Sequence, residues 1–491
     1  MVRSCSRRFR AALLAALFVF SCGKDNPEPV PVPEPTGPFD PSAASLTLPE
    51  EFRAAWIATV AKIDWPRSTT APDQERELKE LLEKISSAGC NAVMFQVVSN
   101  ADALYPSKLL PWSAIPTGTQ GLDPGFDPLG VAVETAHRLG MELHAWVNPL
   151  RIGSAAAVRA ENHPYRSHPD WWQEYNGNYF WDPGNPGLRT FLASIVEEIV
   201  TNYPVDGVHI DDYFYPSGLQ TNSLTWYDSK EYSAYGAGKS LDEWREGNIN
   251  KMVKAYHETV HRVRPEAVFG VSPAGRLELT RALYADPVQW IAEGSIDYLT
   301  PQIYWDHIRN DFADFDTVLH SWLEVRKNVP MMPGLAAYKC LQSTEKNFYN
   351  RPEELGYQVS ECRSHAGCCG HFWYNTTSLV SQLVYPYVTY NIYKSSHALT
   401  PRLQTQPGIL DAPVPVLDGN EISWNEVPGA AGYVVLALSK PAHGSQWTAS
   451  IVRNSGTQRS FTGSPDTNYI ILARNGSSRS SYSTPVYIPA P

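Results

Sequence analysis

A chain of 491 residues with 19% charged and 12% aromatic residues is long enough for more than one globular domain. Its formal net charge of −11 excludes nucleic acid as a partner class, because a phosphate backbone is bound by a basic face. Its 15 Trp and 26 Tyr tilt it instead towards aromatic surfaces.

At the N-terminus Arg3, Arg7, Arg8 and Arg10 precede an apolar run from Ala11 to Phe20, the pattern of an export signal and too short for a typical membrane span. The run ends in Val-Phe-Ser-Cys22-Gly, which resembles a bacterial lipobox. Residues 1–21 are therefore expected to be removed and Cys22 lipidated, the alternative being a plain secretory signal beside a chance cysteine. Residues 22–48 are rich in proline and read as an extended tether. Anchor and tether together predict an envelope protein held to a membrane, periplasmic or surface-facing. Beyond Cys5 and Cys22, five cysteines remain, an odd number without zinc-site spacing. Whether Cys340 and Cys362 pair in an exported protein is left open, as is the oligomeric state. No metal cluster or cofactor loop is read.

From residue 49 to 395 apolar runs alternate with helical patterns. Strands are expected at Phe52–Val60, Asn91–Val98, Met141–Asn148, Asp206–Asp211, Val268–Ser272, Ile296–Tyr304, Val329–Ala336 and Gly370–Tyr374. Helices are expected at Glu75–Ala88, Pro128–Leu139, Leu188–Thr201, Ile249–Val263, Pro287–Ala292, Phe315–Lys327 and Glu353–Ala366. Eight strands alternating with helices predict an α/β fold, a (β/α)8 TIM barrel with long loops Ser99–Asp127, Pro149–Pro186 and Tyr213–Gly247 on its catalytic face. Residues 396–414 read as a proline-marked linker. Residues 415–491 carry only short alternating runs and read as a small all-β sandwich, whose Ile422-Ser-Trp and Gly432-Tyr-Val-Val elements resemble a fibronectin type III module.

The stretch Val205-Asp-Gly-Val-His-Ile-Asp-Asp-Tyr-Phe-Tyr-Pro216 carries the densest chemistry. If Val208 and Ile210 face the helices, His209 and Asp211 share the inner face, because side chains alternate along a strand. The carboxyl ends of barrel strands are where catalytic groups sit. The bland alternative is that Asp211 and Asp212 only cap the following loop. Other polar and aromatic groups collect at the same ends: Gln96 and Asp102; His144, Trp146, Asn148 and Arg151; Tyr213; Gln302, Tyr304, Trp305 and Asp306; Trp373 and Tyr374. Trp171, Trp172, Tyr175, Tyr179, Phe180 and Trp181 crowd one loop, where flat rings either stack on sugars or anchor the loop. No glycine-rich phosphate loop and no nucleophile-elbow serine is present. A sugar hydrolase is the leading class.

Several motifs then share one resemblance. Phe52-Arg-Ala-Ala-Trp-Ile-Ala-Thr-Val-Ala-Lys-Ile-Asp-Trp-Pro66, Asp102-Ala-Leu-Tyr-Pro-Ser107, Pro111-Trp-Ser113, His144-Ala-Trp-Val-Asn-Pro149, Asp206-Gly-Val-His-Ile-Asp-Asp-Tyr-Phe-Tyr-Pro216, Val271-Ser-Pro273 and Asp297-Tyr-Leu-Thr-Pro-Gln-Ile-Tyr-Trp305 resemble the glycosyl hydrolase-like 10 family over about residues 50–390. The resemblance implies a TIM-barrel glycoside hydrolase of the bacterial envelope with peptidoglycan glycan strands as substrate class. The chain departs from the family after strand two, where Gln96-Val-Val-Ser99 replaces Gln-Val-Arg-Pro. Strand four also resembles the Asp-Gly-x-Arg-x-Asp pattern of α-amylase-type barrels, with His209 in the Arg position, and the chitinase-type pattern, whose final Glu falls on Tyr213.

Hydrolysis of a glycosidic bond ordinarily needs two carboxyl groups. Asp211 is expected at the anomeric carbon, with Asp212 or Asp306 as the acid. The rivals are hydrolysis of a host or dietary glycan and glycan binding without catalysis.

Overall fold

A computed structural model describes residues 36–220, 226–309, 313–403, 410–441, 445–454 and 456–491. The export signal, Cys22 and the first part of the tether lie outside the described residues. Residues from Gly37 to Pro491 form one compact unit.

Eight strands build its main sheet: β1 Phe52–Ile57, β2 Ala92–Val98, β3 Glu142–Val147, β4 Gly207–Ile210, β5 Val268–Val271, β6 Tyr298–Leu299, β7 Gly334–Ala336 and β8 Gly370–Tyr374. They run parallel in the order β6-β5-β4-β3-β2-β1-β8-β7. The sheet curls until its edges meet: Met332 N donates to Leu299 O at 2.9 Å and Gly334 N to Pro301 O at 2.9 Å. This is a TIM-barrel-type α/β architecture.

The strands are apolar on both faces because helices cover the outside and side chains fill the inside. On β2, Val93, Phe95 and Val97 join the outer layer, while Ala92 and Met94 join an inner cluster with Phe52, Trp56, Trp146, Tyr298 and Phe372. The helix Ala71–Ser87 shows how the outer layer is made. Proline opens it, and Leu78, Leu82 and Ile85 recur at helical spacing on its buried side. The same alternation corrects one expectation. Phe372 points into the barrel, so Trp373 points out into the helical layer, where its indole N–H donates to Tyr393 Oη at 2.8 Å.

The C-terminal region is all-β and made of two sheets. One joins Pro415–Asp418, Glu421–Trp424 and Ser460–Thr462; the other is built on Gly432–Ser439, Gln446–Arg453 and Thr467–Asn475. Ile422 and Trp424 of the first pack against Tyr433, Val435 and Ile471 of the second. The tether expected to reach residue 48 ends earlier. Ser45–Thr47 pairs in parallel with Gln446–Thr448, and Phe39 is buried against Trp447. The expected linker is likewise packed where it begins, with Ala398 and Leu399 buried. Cys90, Cys340, Cys362, Cys368 and Cys369 are free thiols. Among the described residues no helix is long and apolar enough to cross a membrane.

Asp206 clamps the β region to the closed end of the barrel. Its carboxylate accepts from His137 Nε2 at 2.9 Å, Leu143 N at 2.7 Å and Ser477 N at 2.5 Å. Burial works to lower the His137 pKa, but the Asp206 charge outweighs it and holds the imidazole above its ordinary 6.5; Arg474 opposes and Glu142 assists. A pKa raised on folding stabilises fully below the unfolded value and is lost as pH rises through the folded one. The melting temperature is therefore expected to fall as pH rises above about 6.5, and His137→Gln to flatten that part of the curve. Calorimetry across this range checks it; an unchanged slope in the variant would refute the assignment.

Candidate active site

A cavity of about 520 Å³ opens at the carboxyl ends of the strands. Its walls include Trp56 at the end of β1, Trp146 from β3, Asp211 and Asp212 after β4, Ser272 after β5, Gln302 and Tyr304 after β6 and Tyr374 from β8.

Ile210 ends β4, and the two acidic residues that follow part company. Asp211 Oδ2 accepts from the Trp146 indole at 2.9 Å and from Asn148 Nδ2 at 3.1 Å. Asp212 is half-buried and bonds instead to the Gln302 amide. Burial pushes the Asp211 carboxyl up to about 7, the Asp212 charge adds to this, and Arg151 opposes it. Burial raises Asp212 as well, against Gln302 and Arg151. A buried acid pair with one carboxyl raised into the neutral range is suited to give and take a proton at the mouth of a barrel. Arg151 is fixed beside the pair, since Asn148 Oδ1 accepts its backbone N–H at 2.9 Å, Ser99 O accepts from its Nε at 3.1 Å, and its guanidinium lies 4.3 Å from the Tyr213 ring centre. Because Arg151 reaches Ser99, a cation stands beside the Val98-Ser99 segment at the end of β2.

His144 and His209 lie inside the barrel, beneath the cavity, and are fully buried. The Trp56 indole donates to His209 Nε2 at 3.0 Å, which makes that nitrogen an acceptor and leaves the proton of the neutral ring on Nδ1. His209 Nδ1 then donates to Tyr298 Oη at 3.0 Å, Tyr298 donates to His144 Nδ1 at 2.9 Å, and His144 Nε2 donates to Glu142 at 3.2 Å. Burial, and after it the proximity of His144, hold the His209 pKa well below its ordinary value. These histidines orient the cavity floor through Trp56 and do not line the cavity.

Other expected site residues are also kept from it. Asp306 Oδ1 accepts from Asn347 Nδ2 at 2.8 Å and Ile308 N at 3.2 Å, so this carboxylate braces a loop. Gln96 Oε1 accepts from Val60 N at 2.9 Å and Thr59 N at 3.1 Å, tying down the loop after β1. Asp102 accepts from Gln120 at 2.9 Å, and Trp305 lies beside Arg276 outside the lining. The structure brings together Trp146, Asn148, Arg151, Asp211, Asp212, Tyr213, Gln302, Tyr304 and Tyr374.

The aromatic loop divides between the two readings open to it. Trp172–Tyr175 and Asn178–Trp181 form a hairpin about Asn176-Gly177, both in the left-handed region with φ 49 and 70. Alternation sends Asn178 and Phe180 to the cavity and Tyr179 and Trp181 to the other face. Trp181 is buried, Trp172 packs on Tyr179 with its indole on Tyr165 O, and Trp171 stacks on His168. These tryptophans anchor the loop. Phe180→Ala is expected to weaken binding of long glycans by about 1–3 kcal/mol with little change in melting. Trp181→Ala should instead cost about 3–5 kcal/mol of stability. Titration calorimetry with a glycan length series, beside thermal melts, separates the two; the opposite pattern would reverse the assignment.

Metal-binding residue types do meet elsewhere. Asp297 accepts from His261 at 2.9 Å, lies 3.5 Å from His257 and takes Phe269 N at 2.6 Å. The group lies ahead of β6, at the end of the barrel away from the cavity, where its charges answer one another.

A family model described as Glycosyl hydrolase-like 10 matches residues 51–350. The chain belongs to the glycosyl hydrolase-like 10 family. It is 38% identical over 345 residues to Glycosyl hydrolase YngK of Bacillus subtilis (strain 168), covering 65% of this chain and 67% of that protein. It is 34% identical over 370 residues to Glycosyl hydrolase DigH of Escherichia coli (strain K12), covering 67% and 83%. Membership of the glycosyl hydrolase-like 10 family supports glycan hydrolysis in general and a carbohydrate as substrate. The span matched to the family holds Asp211, Asp212 and the rest of the cavity lining except Tyr374.

Proposed function

We propose that the protein hydrolyses glycosidic bonds in an envelope polysaccharide, with peptidoglycan glycan strands as the substrate class. The observation that carries this reading is the Asp211–Asp212 pair in an aromatic-walled cavity at the carboxyl end of a barrel-type sheet. Asp211 works at the anomeric carbon, fixed by Trp146 and Asn148, and Asp212 is the second carboxyl group of the pair. Tyr213, Phe180 and Tyr175 offer faces on which sugar rings stack. No cofactor takes part in this reading. Lipidation at Cys22 holds the enzyme to a membrane of the envelope, and the two-sheet C-terminal region serves as a fibronectin type III-like spacer.

The replacement of the family arginine by Val98 favours a second reading, in which another glycan, host or dietary, is cleaved. Product masses after incubation with peptidoglycan carrying peptide stems, with stem-free strands and with a panel of neutral glycans decide between them. Cleavage of stem-free strands is expected. Cleavage confined to neutral glycans would establish the second reading, and binding without cleavage of any glycan would leave only a glycan-binding role.

A further inference from the structure

The barrel closes between its two shortest strands, β6 and β7. The helices that follow them, Phe315–Val325 and Glu353–Ser364, are tied to each other across that seam by Tyr357 Oη, which donates to Asp316 Oδ2 at 2.7 Å. One turn further along, His320 of the first helix meets Glu361 and His365 at the end of the second. The rings of His320 and His365 stand 4.9 Å apart at 83°, and His365 Nε2 lies 2.9 Å from Glu361 Oε1. One ring nitrogen or carboxylate oxygen from each of the three lies within 4.8 Å of the other two. Helical spacing brings them out. Val318, Leu319 and Trp322 take the buried side of the first helix and Leu355, Val359 and Cys362 that of the second, which leaves His320 exposed and Glu361 and His365 half-buried.

His320 Nδ1 lies 2.7 Å from Asp316 O, and a carbonyl only accepts, so in the neutral ring the proton sits on Nδ1 and Nε2 presents its lone pair. A metal-bound imidazole is ordinarily held this way, with its second nitrogen on a backbone carbonyl or carboxylate. Among the described residues the Glu361 carboxylate accepts from His365 alone, whereas Asp297, in the group beside His257 and His261, is also the acceptor of the Phe269 backbone N–H. We propose that His320, Glu361 and His365 bind Zn2+, which braces the two helices across the closing seam of the barrel. Two imidazoles and one carboxylate suit this borderline cation, while Mg2+ and Ca2+ take oxygen donors. The ion replaces the hydrogen bond between His365 and Glu361, and the proton of the neutral His365 ring passes to its other nitrogen. Water completes the tetrahedron. None of the three residues lines the glycan cavity, so the site is read independently of glycan cleavage.

The test uses the full chain, stripped with a chelator and titrated with Zn2+ by calorimetry. A single site per chain is expected, and Zn2+ at about a hundredfold above Kd should raise the melting temperature by a few degrees, an effect that Mg2+ does not share. His320→Ala and His365→Ala, both at the surface of the helical layer, should each weaken binding at least about tenfold and abolish the thermal shift. His257→Ala should leave both unchanged. Cobalt(II) in place of zinc reports the donors: nitrogen and oxygen ligands give weak visible bands, whereas the free thiols would add a strong near-ultraviolet charge-transfer band. Absence of zinc binding, binding within about twofold of wild type in both His320→Ala and His365→Ala, its loss in His257→Ala, or a thiolate band from the bound cobalt would each overturn the assignment.

Discussion

Asp211→Asn is expected to lower kcat/KM on a cleaved glycan by about a thousandfold or more and, at the same time, to raise the melting temperature. The loss follows from the position of Asp211, whose carboxylate is the group that Trp146 and Asn148 hold in the cavity floor. The gain follows from linkage. Burial and the Asp212 charge lift the folded carboxyl from 3.8 to about 7. A carboxyl raised on folding stabilises most below its unfolded pKa, and that stability is lost as pH climbs through the folded value. Above neutrality the ionised, buried group costs on the order of 4 kcal/mol, which an amide does not. The substituted amide retains an oxygen that accepts one of the two bonds. Steady-state kinetics with calorimetry at about pH 5 and pH 8 check both halves; the stabilisation should be larger at the higher pH. Activity within about tenfold of wild type, or a lower melting temperature at the higher pH, would refute the role given to this residue.

Gly270→Ala is expected to be severely destabilising. Gly270 faces Tyr298 across the β5–β6 pair, and a Cβ there would stand 2.0 Å from the Tyr298 ring. The ring has nowhere to retreat, since it packs against Phe52, His209 and Phe372. Moving it also breaks the hydrogen bonds to His144 and His209, leaving buried nitrogens without partners. Overpacking and lost bonds together should cost about 3 kcal/mol or more and lower the melting temperature by at least about 5 °C. Tyr298→Phe keeps the ring and removes only the hydroxyl, so it should cost less, about 1–3 kcal/mol. Thermal melts of the two variants test this; a Gly270→Ala melt within about 1 °C of wild type would show that the interior is not packed as described.

Much of this arrangement is legible in the sequence because period-two alternation is strict. It places His209 and Asp211 on the inner face of β4, and it places Trp146 beside them on β3. Applied to Gly370–Tyr374, the same rule turns Trp373 outward. What alternation leaves out is depth: His144 and His209 share the inner face with the site yet sit below it, and only the chain through Tyr298 and Glu142 accounts for them. The glycine of Asp206-Gly207 has a packing reason of this kind, because a Cβ there would lie 2.6 Å from His144 Nδ1. Asp306 follows a strand end, as a catalytic acid would, but its partner Asn347 is distant in sequence and no local pattern points to it. The hairpin is the reverse case. Asn176-Gly177 between two aromatic-rich runs is a strong turn signal, and it directs Phe180, not Trp181, to the cavity. The packing of residues 37–48 on the C-terminal region depends on pairing across some 400 positions, which local composition does not carry.

Release of reducing ends from stem-free glycan strands by the wild-type protein and by the Asp211→Asn, Asp212→Asn double variant, at matched concentration and matched circular dichroism, tests the central claim most directly. The account predicts sustained release by the wild type and a rate lower by at least about a thousandfold in the variant, whose aromatic walls are unchanged. A folded double variant that releases ends within about tenfold of wild type would contradict it, because the chemistry would then lie outside the carboxylate pair at the end of the fourth strand.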